Sequence, residues 1–281
     1  MNNATVNITT PEASANSTTH SIGLVTCMEI CMYSINFLAG LPTHFYVIWL
    51  IITGTGSGLA LEFFNLNLSV SEIGNSLNSL FFLLSTWFPS VWILLMFFIG
   101  FSITGRPLFQ CLICVERYLA VVHPVTFLKY KPLRYRVICS TIVWIITLGS
   151  CLCCVYILVS FNIIVHAWFF VLQFILYLSI KLFCLMAVLR ALKESGPGER
   201  GRVRDEKNHM KRRAFYIILV TTVSMVVLYV PIIISAIFIN LTKPNIEGIW
   251  DPALICYVLA GFVQPVLYLH RNGKLSCFCS P

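Results

Sequence analysis

The stretch Gly105–Pro124, "GRPLFQCLICVERYLAVVHP", carries two arginines, Arg106 and Arg117, through an otherwise apolar run. Eleven residues separate them, about three helical turns, so on a helix both project from one face about 16 Å apart. Such placement is costly anywhere apolar, and only 11% of the 281 residues are charged. The surroundings say which apolar medium is meant. With 58% hydrophobic residues and a mean hydropathy of +0.85, the chain has more apolar surface than one soluble core can bury, which points to lipid.

Seven apolar segments have the length of membrane-spanning helices, about 20 residues each, and helices satisfy their own backbone hydrogen bonds in hydrocarbon. They run approximately over Met28–Ile52, Glu62–Leu84, Ser90–Val122, Tyr135–Val159, Val165–Leu192, Phe215–Asn240 and Trp250–Leu269. The expected fold is an all-α membrane protein, a seven-transmembrane helix bundle over residues 28–269. No internal repeat is visible, which weighs against a carrier.

The basic residues orient it. Lys129, Lys131, Arg134 and Arg136 follow span three, a dense run from Lys193 to Arg213 follows span five, and Arg271 and Lys274 follow span seven. The opposite connections carry only Lys243. The positive-inside rule then places the connections one–two, three–four and five–six and the tail 270–281 in the cytoplasm, and the N-terminal segment 1–27 outside. The formal charge of +8 is thus an insertion signal that also suits anionic membrane lipid, and nucleic acid is not implied. The sequons at Asn3, Asn7 and Asn16 agree with an extracellular, glycosylated N-terminus, whereas the one at Asn67 falls in span two and is expected to stay unmodified. Most of the 12 cysteines lie within spans, as small apolar packing residues. Cys277 and Cys279 lie beyond span seven beside basic residues, either S-palmitoylated or free thiols.

Within the opening stretch, "ERYLAVVHP" resembles the Asp/Glu-Arg-Tyr signature of rhodopsin-like (class A) G-protein-coupled receptors. Other landmarks fall in family order: Gly40–Pro42 with His44 where Asn is usual, Asn67–Glu72 with Glu72 for the customary Asp, Trp87, Trp144, Pro231, and Pro265 to Tyr268 as Pro-x-x-Tyr. The resemblance implies a multi-pass receptor at the plasma membrane. Glu116, Arg117 and Tyr118, with Pro265 and Tyr268, would form the switch that opens a cytoplasmic cleft to a heterotrimeric G-protein, with Glu116 neutralising Arg117 at rest. The plainer reading of Arg117 is a positive-inside anchor.

Departures from the family pattern are informative. Arg106 stands where the family carries a small polar residue that helps the span-two acid hold sodium. An uncompensated charge in mid-membrane costs about 3 kcal/mol, so Glu72 and Arg106 are expected to pair; the alternative is that Arg106 meets only carbonyls and water. Pro107 has no N–H for the carbonyl of Ile103, leaving an acceptor near Arg106. Leu185 and Gln264 replace the usual Tyr and Asn, and Tyr229 replaces the tryptophan before Pro231. Lys211, Arg212 and Arg213 stand where an acid often restrains the arginine, and their repulsion predicts an open inner face with basal activity. The usual outer disulfide is missing, so the extracellular mouth should be mobile, or held by packing among Trp87, Phe88, Trp92 and Trp168. Lys181 is a buried cation with no evident acid.

The ligand is unknown. Outer positions offer no acid for an amine and no base for an anion. Phe98, Ile99, Tyr229, Ile237, Leu254 and Tyr257 suit an apolar ligand or a peptide, or simply pack together. No metal-ligand spacing, Gly-rich phosphate loop or serine elbow occurs, so no metal, cofactor or enzymatic activity is expected. The residues 193–207 read as a flexible inner loop, with a helical extension beyond Arg202 as the alternative. Two rivals to a signalling receptor are a non-signalling, receptor-shaped scaffold and a transporter or channel that uses Glu72 and Arg106.

Overall fold

The computed structural model describes residues 26–54, 62–130, 132–160, 163–193, 202–242 and 251–271. The sequons at Asn3, Asn7 and Asn16 and the thiols of Cys277 and Cys279 lie outside them. Among the described residues every regular element is helical. Seven helices are long: α1, Thr26–Thr53; α2, Phe63–Ser85; α3, Trp92–Val122; α4, Leu133–Val159; α5, Ile163–Lys193; α6, Arg202–Thr242; and α7, Asp251–Arg271. A short helix, Pro124–Tyr130, follows α3.

Their surface is inverted relative to a water-soluble protein. Ile138, Ile142, Ile145, Leu148 and Leu152 of α4 and Leu172, Ile175, Leu176 and Phe183 of α5 are exposed, while Glu72, Arg106, Arg136 and Lys181 are buried. Hydrocarbon makes that pattern favourable and water does not.

Five helical segments among the described residues are long and apolar enough to cross a membrane: Thr26–Thr53, Pro89–Val122, Leu133–Ile157, Trp168–Lys193 and Ala214–Ser235. Two of the seven expected spans do not reach that standard. In α7 the apolar helical stretch is shorter, Val258–His270. In α2 the cause is composition, since Asn65, Ser69, Ser71, Glu72, Asn75, Ser76, Asn78 and Ser79 are all buried. This helix turns its polar face to its neighbours, so its mean hydropathy understates how well it is covered.

Helix α3 is the axis. It packs against α2, α4, α5 and α6, while α7 touches both α6 and α1 and so closes the ring. Close approach to α4 depends on Gly100, where a Cβ would lie 2.7 Å from the Cα of Cys151. Small residues let membrane helices approach in this way. The α3–α4–α5 junction is also polar: Thr104 Oγ1 donates to Gln173 Oε1 at 2.9 Å, and Gln173 Nε2 donates to Ser150 Oγ at 3.4 Å. In α1, Asn36–Gly40 forms a π-turn, and Asn36 Nδ2 donates to Ser79 Oγ of α2 at 2.7 Å.

Trp87, Phe88, Trp92 and Trp168 are exposed, Trp87 at 80%. Amphipathic aromatic rings are favoured at the membrane–water interface, and outward exposure suits that place. Cys27 and Cys31 are free and exposed.

Candidate functional site

Two buried cations, Arg106 and Lys181, each centre a polar cluster among the described residues. In the first, Arg106 of α3 forks onto Glu72 of α2: Nε donates to Oε1 at 2.6 Å and Nη2 to Oε2 at 2.6 Å. Both side chains are 2% exposed. Asn75 Nδ2 adds a bond to Glu72 Oε2 at 2.9 Å. A bidentate, fully desolvated pair needs such extra donors, because desolvation otherwise offsets the attraction. Gly261 of α7 lies over the guanidinium, with a hypothetical Cβ 3.4 Å from Nη2. The buried His44 stands nearby on α1, within electrostatic reach of both charges.

The second centre answers for Lys181 of α5, which is 0% exposed. Its ammonium donates to Gln110 Oε1 of α3 at 2.7 Å and to the Thr221 carbonyl of α6 at 3.1 Å. Two neutral acceptors on two other helices take the place of the acid that the sequence lacks. Lys181 thereby ties together three helices.

Pro107 frees the Ile103 carbonyl, and the donor that meets it comes from another helix. The hydroxyl of Tyr229, on α6, donates to it at 2.9 Å. The Tyr229 ring stacks on Phe170 and Phe174 of α5, with centroids 5.2 and 5.5 Å away. A cavity of about 10 Å³ lies between Arg106, Gln110, Ser224 and Tyr229, room for one water.

At the other end of α3, Glu116 forms an ion pair with Arg136 of α4. Arg136 is buried, not an exposed basic loop residue. Tyr118 points its hydroxyl at His123 Nε2, 3.0 Å away. Pro265 is buried within α7, and Tyr268 packs with Val47, Leu50 and Ile51 of α1. Lys211 Nζ of α6 donates to the Ala191 carbonyl at 3.0 Å, in the last turn of α5, where carbonyls lack helical partners. Lys211 therefore fastens α6 to α5.

The expected ligand-lining residues that are described stand in different surroundings. Phe98 stacks on Phe81 at 5.0 Å, Ile99 is half-buried, and Tyr229 is committed to the core. Ile237 is 48% exposed on α6. The side chains of Leu254 and Tyr257 lie outside the described residues.

No family model matches the chain. Over 172 residues it is 28% identical to hydroxycarboxylic acid receptor 2 of Rattus norvegicus, a match covering 55% of this chain and 45% of that receptor. The chain thus spans about half the length of the curated relative it matches. That likeness supports a rhodopsin-like receptor relationship at family level. The relative is named as a receptor.

Sequence reasoning missed three participants. Arg136 reads as one of four basic residues that follow span three; only the packing of α4 on α3 reveals its pairing with Glu116. Gln110 is an ordinary polar residue until Lys181 is set against it. Tyr229 reads from sequence as a pocket wall, although Pro107 already signals an open carbonyl for some donor.

Proposed function

We propose that the chain is a seven-span, rhodopsin-like receptor of the plasma membrane, with its N-terminus outside, that passes an extracellular signal to a cytoplasmic heterotrimeric G-protein. The single observation that carries this reading is the Glu116–Arg117–Tyr118 end of α3, clamped by Arg136 from α4 and by His123, in a chain similar to a known receptor. Neutralising Glu116 from a neighbouring helix makes its release dependent on helix movement. Tyr229 and Lys181 then join α6 to α3 and α5, so an outward motion of α6 must break both contacts.

The relative's name points to hydroxy acids. In this chain Arg106 is held by Glu72, and Lys181 by Gln110 and a carbonyl. Neither is offered to an incoming carboxylate, so an apolar or peptide ligand remains the better match. Transport is disfavoured for the same reason, since Glu72 and Arg106 are buried and turned to each other.

A second reading has its own observation. The three ties on α6, through Tyr229, Lys181 and Lys211, suit a bundle that stays shut, and hence a receptor-shaped scaffold. One experiment separates the two: the full chain is expressed at the cell surface with a panel of chimeric G-proteins, with and without a library of apolar ligands and peptides. Signal abolished by Arg117→Ala supports the receptor. Intact surface expression with no signal above mock-transfected cells sinks it in favour of the scaffold.

A further inference from the structure

Between α3 and α5, in the half of the bundle that holds Tyr118, lies a groove of about 340 Å³ lined by Val115, Tyr118, Ser179, Ile180, Phe183 and Cys184. It faces outward, since Ser179 is exposed and Phe183 is 62% exposed. Both helices contain segments apolar enough to cross a membrane, so the medium at its mouth is hydrocarbon. An aqueous ligand has no path to it, but a lipid chain is always present.

The charges beyond the groove choose among lipids. Arg190 lies seven residues past Phe183, two turns along the same face of α5 and about 10 Å toward the inner end, and it is exposed. Lys193 follows in the same last turn. Helix α5 has no acidic residue, and the one acid of α3, Glu116, is held by Arg136. The groove thus runs from an apolar cleft to a cationic rim with no competing described carboxylate on its two walls. Basic clusters at the cytoplasmic membrane surface attract acidic headgroups.

We propose that this groove binds one acidic phospholipid of the cytoplasmic leaflet, its acyl chain against Phe183 and Tyr118 and its headgroup at Arg190. The inference rests on the membrane orientation proposed above. It gives the third residue of the Glu116–Arg117–Tyr118 end a lipid contact: the Tyr118 ring meets Phe183 edge-on at 5.6 Å while its hydroxyl holds His123. A bound chain packs against the ring and restrains it.

The test uses the full-length chain in nanodiscs with a phosphatidylserine carrying a photoactivatable group in its acyl chain, and the matching phosphatidylcholine. The serine lipid is expected to label peptides containing Val115–Tyr118 or Ser179–Cys184 about fivefold more than the choline lipid. Ser179→Trp, which fills the cleft from an exposed position, should remove that label, and Arg190→Gln should lower the serine-lipid signal to the choline level. Equal labelling by the two lipids, or label unchanged in Ser179→Trp, overturns the proposal. Carbonate extraction of membranes from the expressing cells separates the failures: a chain that resists extraction yet is unlabelled in nanodiscs defeats the lipid site alone, and a chain that is extracted defeats membrane insertion and the lipid site together.

Discussion

Arg106 and Lys181 are both buried cations, and they are stabilised by opposite means. Arg106 has a carboxylate and a forked geometry; Lys181 has only an amide oxygen and a carbonyl. Breaking a buried pair by removing one partner costs about 3–5 kcal/mol, because a lone charge is left behind. Glu72→Gln and Arg106→Gln should therefore each lower thermal stability by that order, while the double variant loses much less than the sum. Strictly additive losses in a detergent thermostability assay would show that the two side chains act independently. At Lys181 the expectation reverses. Lys181→Met removes the charge with its need for acceptors and should be close to neutral in stability, whereas Gln110→Leu leaves the ammonium with one described acceptor fewer and should cost about 1–3 kcal/mol. A larger loss in Lys181→Met than in Gln110→Leu, measured by the same melting assay, would mean that the amide is not a principal partner.

The helices owe their mutual positions to a few contacts of small size. Where Gly100 meets the backbone of Cys151, even a methyl lies at 2.7 Å, and a backbone atom cannot swing away. Gly100→Val should push α3 off α4 at a cost of about 1–3 kcal/mol, read as lost surface expression that a neutral substitution at the lipid-facing Leu152 does not share. On α6 the decisive contact is polar. Tyr229→Phe keeps the stacking on Phe170 and Phe174 but leaves the Ile103 carbonyl without its hydroxyl donor, a penalty of about 1–3 kcal/mol for a buried acceptor. If α6 moves on activation, that variant should raise basal G-protein signal; unchanged basal signal with normal surface expression would separate this bond from the switch.

For the molecule as a whole, the inverted surface is what makes lipid its solvent. Its orientation rests on charge asymmetry and on the three N-terminal sequons. Replacing Asn3, Asn7 and Asn16 together by Gln should abolish a glycosidase-sensitive mobility shift of the expressed chain; no shift in the unaltered chain would count against an N-terminus outside the cell.

The helical class, the approximate positions of the apolar segments and the need for Arg106 to find an acid were all legible in the amino-acid order, because hydrophobic length and the cost of an unpaired charge are local properties of a segment. Pro107 likewise announced an orphaned carbonyl from its lack of an N–H. Which donor met that carbonyl was not legible. Tyr229 is 126 residues from Ile103, and nothing in either segment's periodicity encodes the other's rotation. The same holds for Lys181 with Gln110 and for Glu116 with Arg136. The order of residues therefore determined the solvent, the elements and the electrostatic debts of each helix, while helix rotation and packing in three dimensions alone decided which partner settled each one.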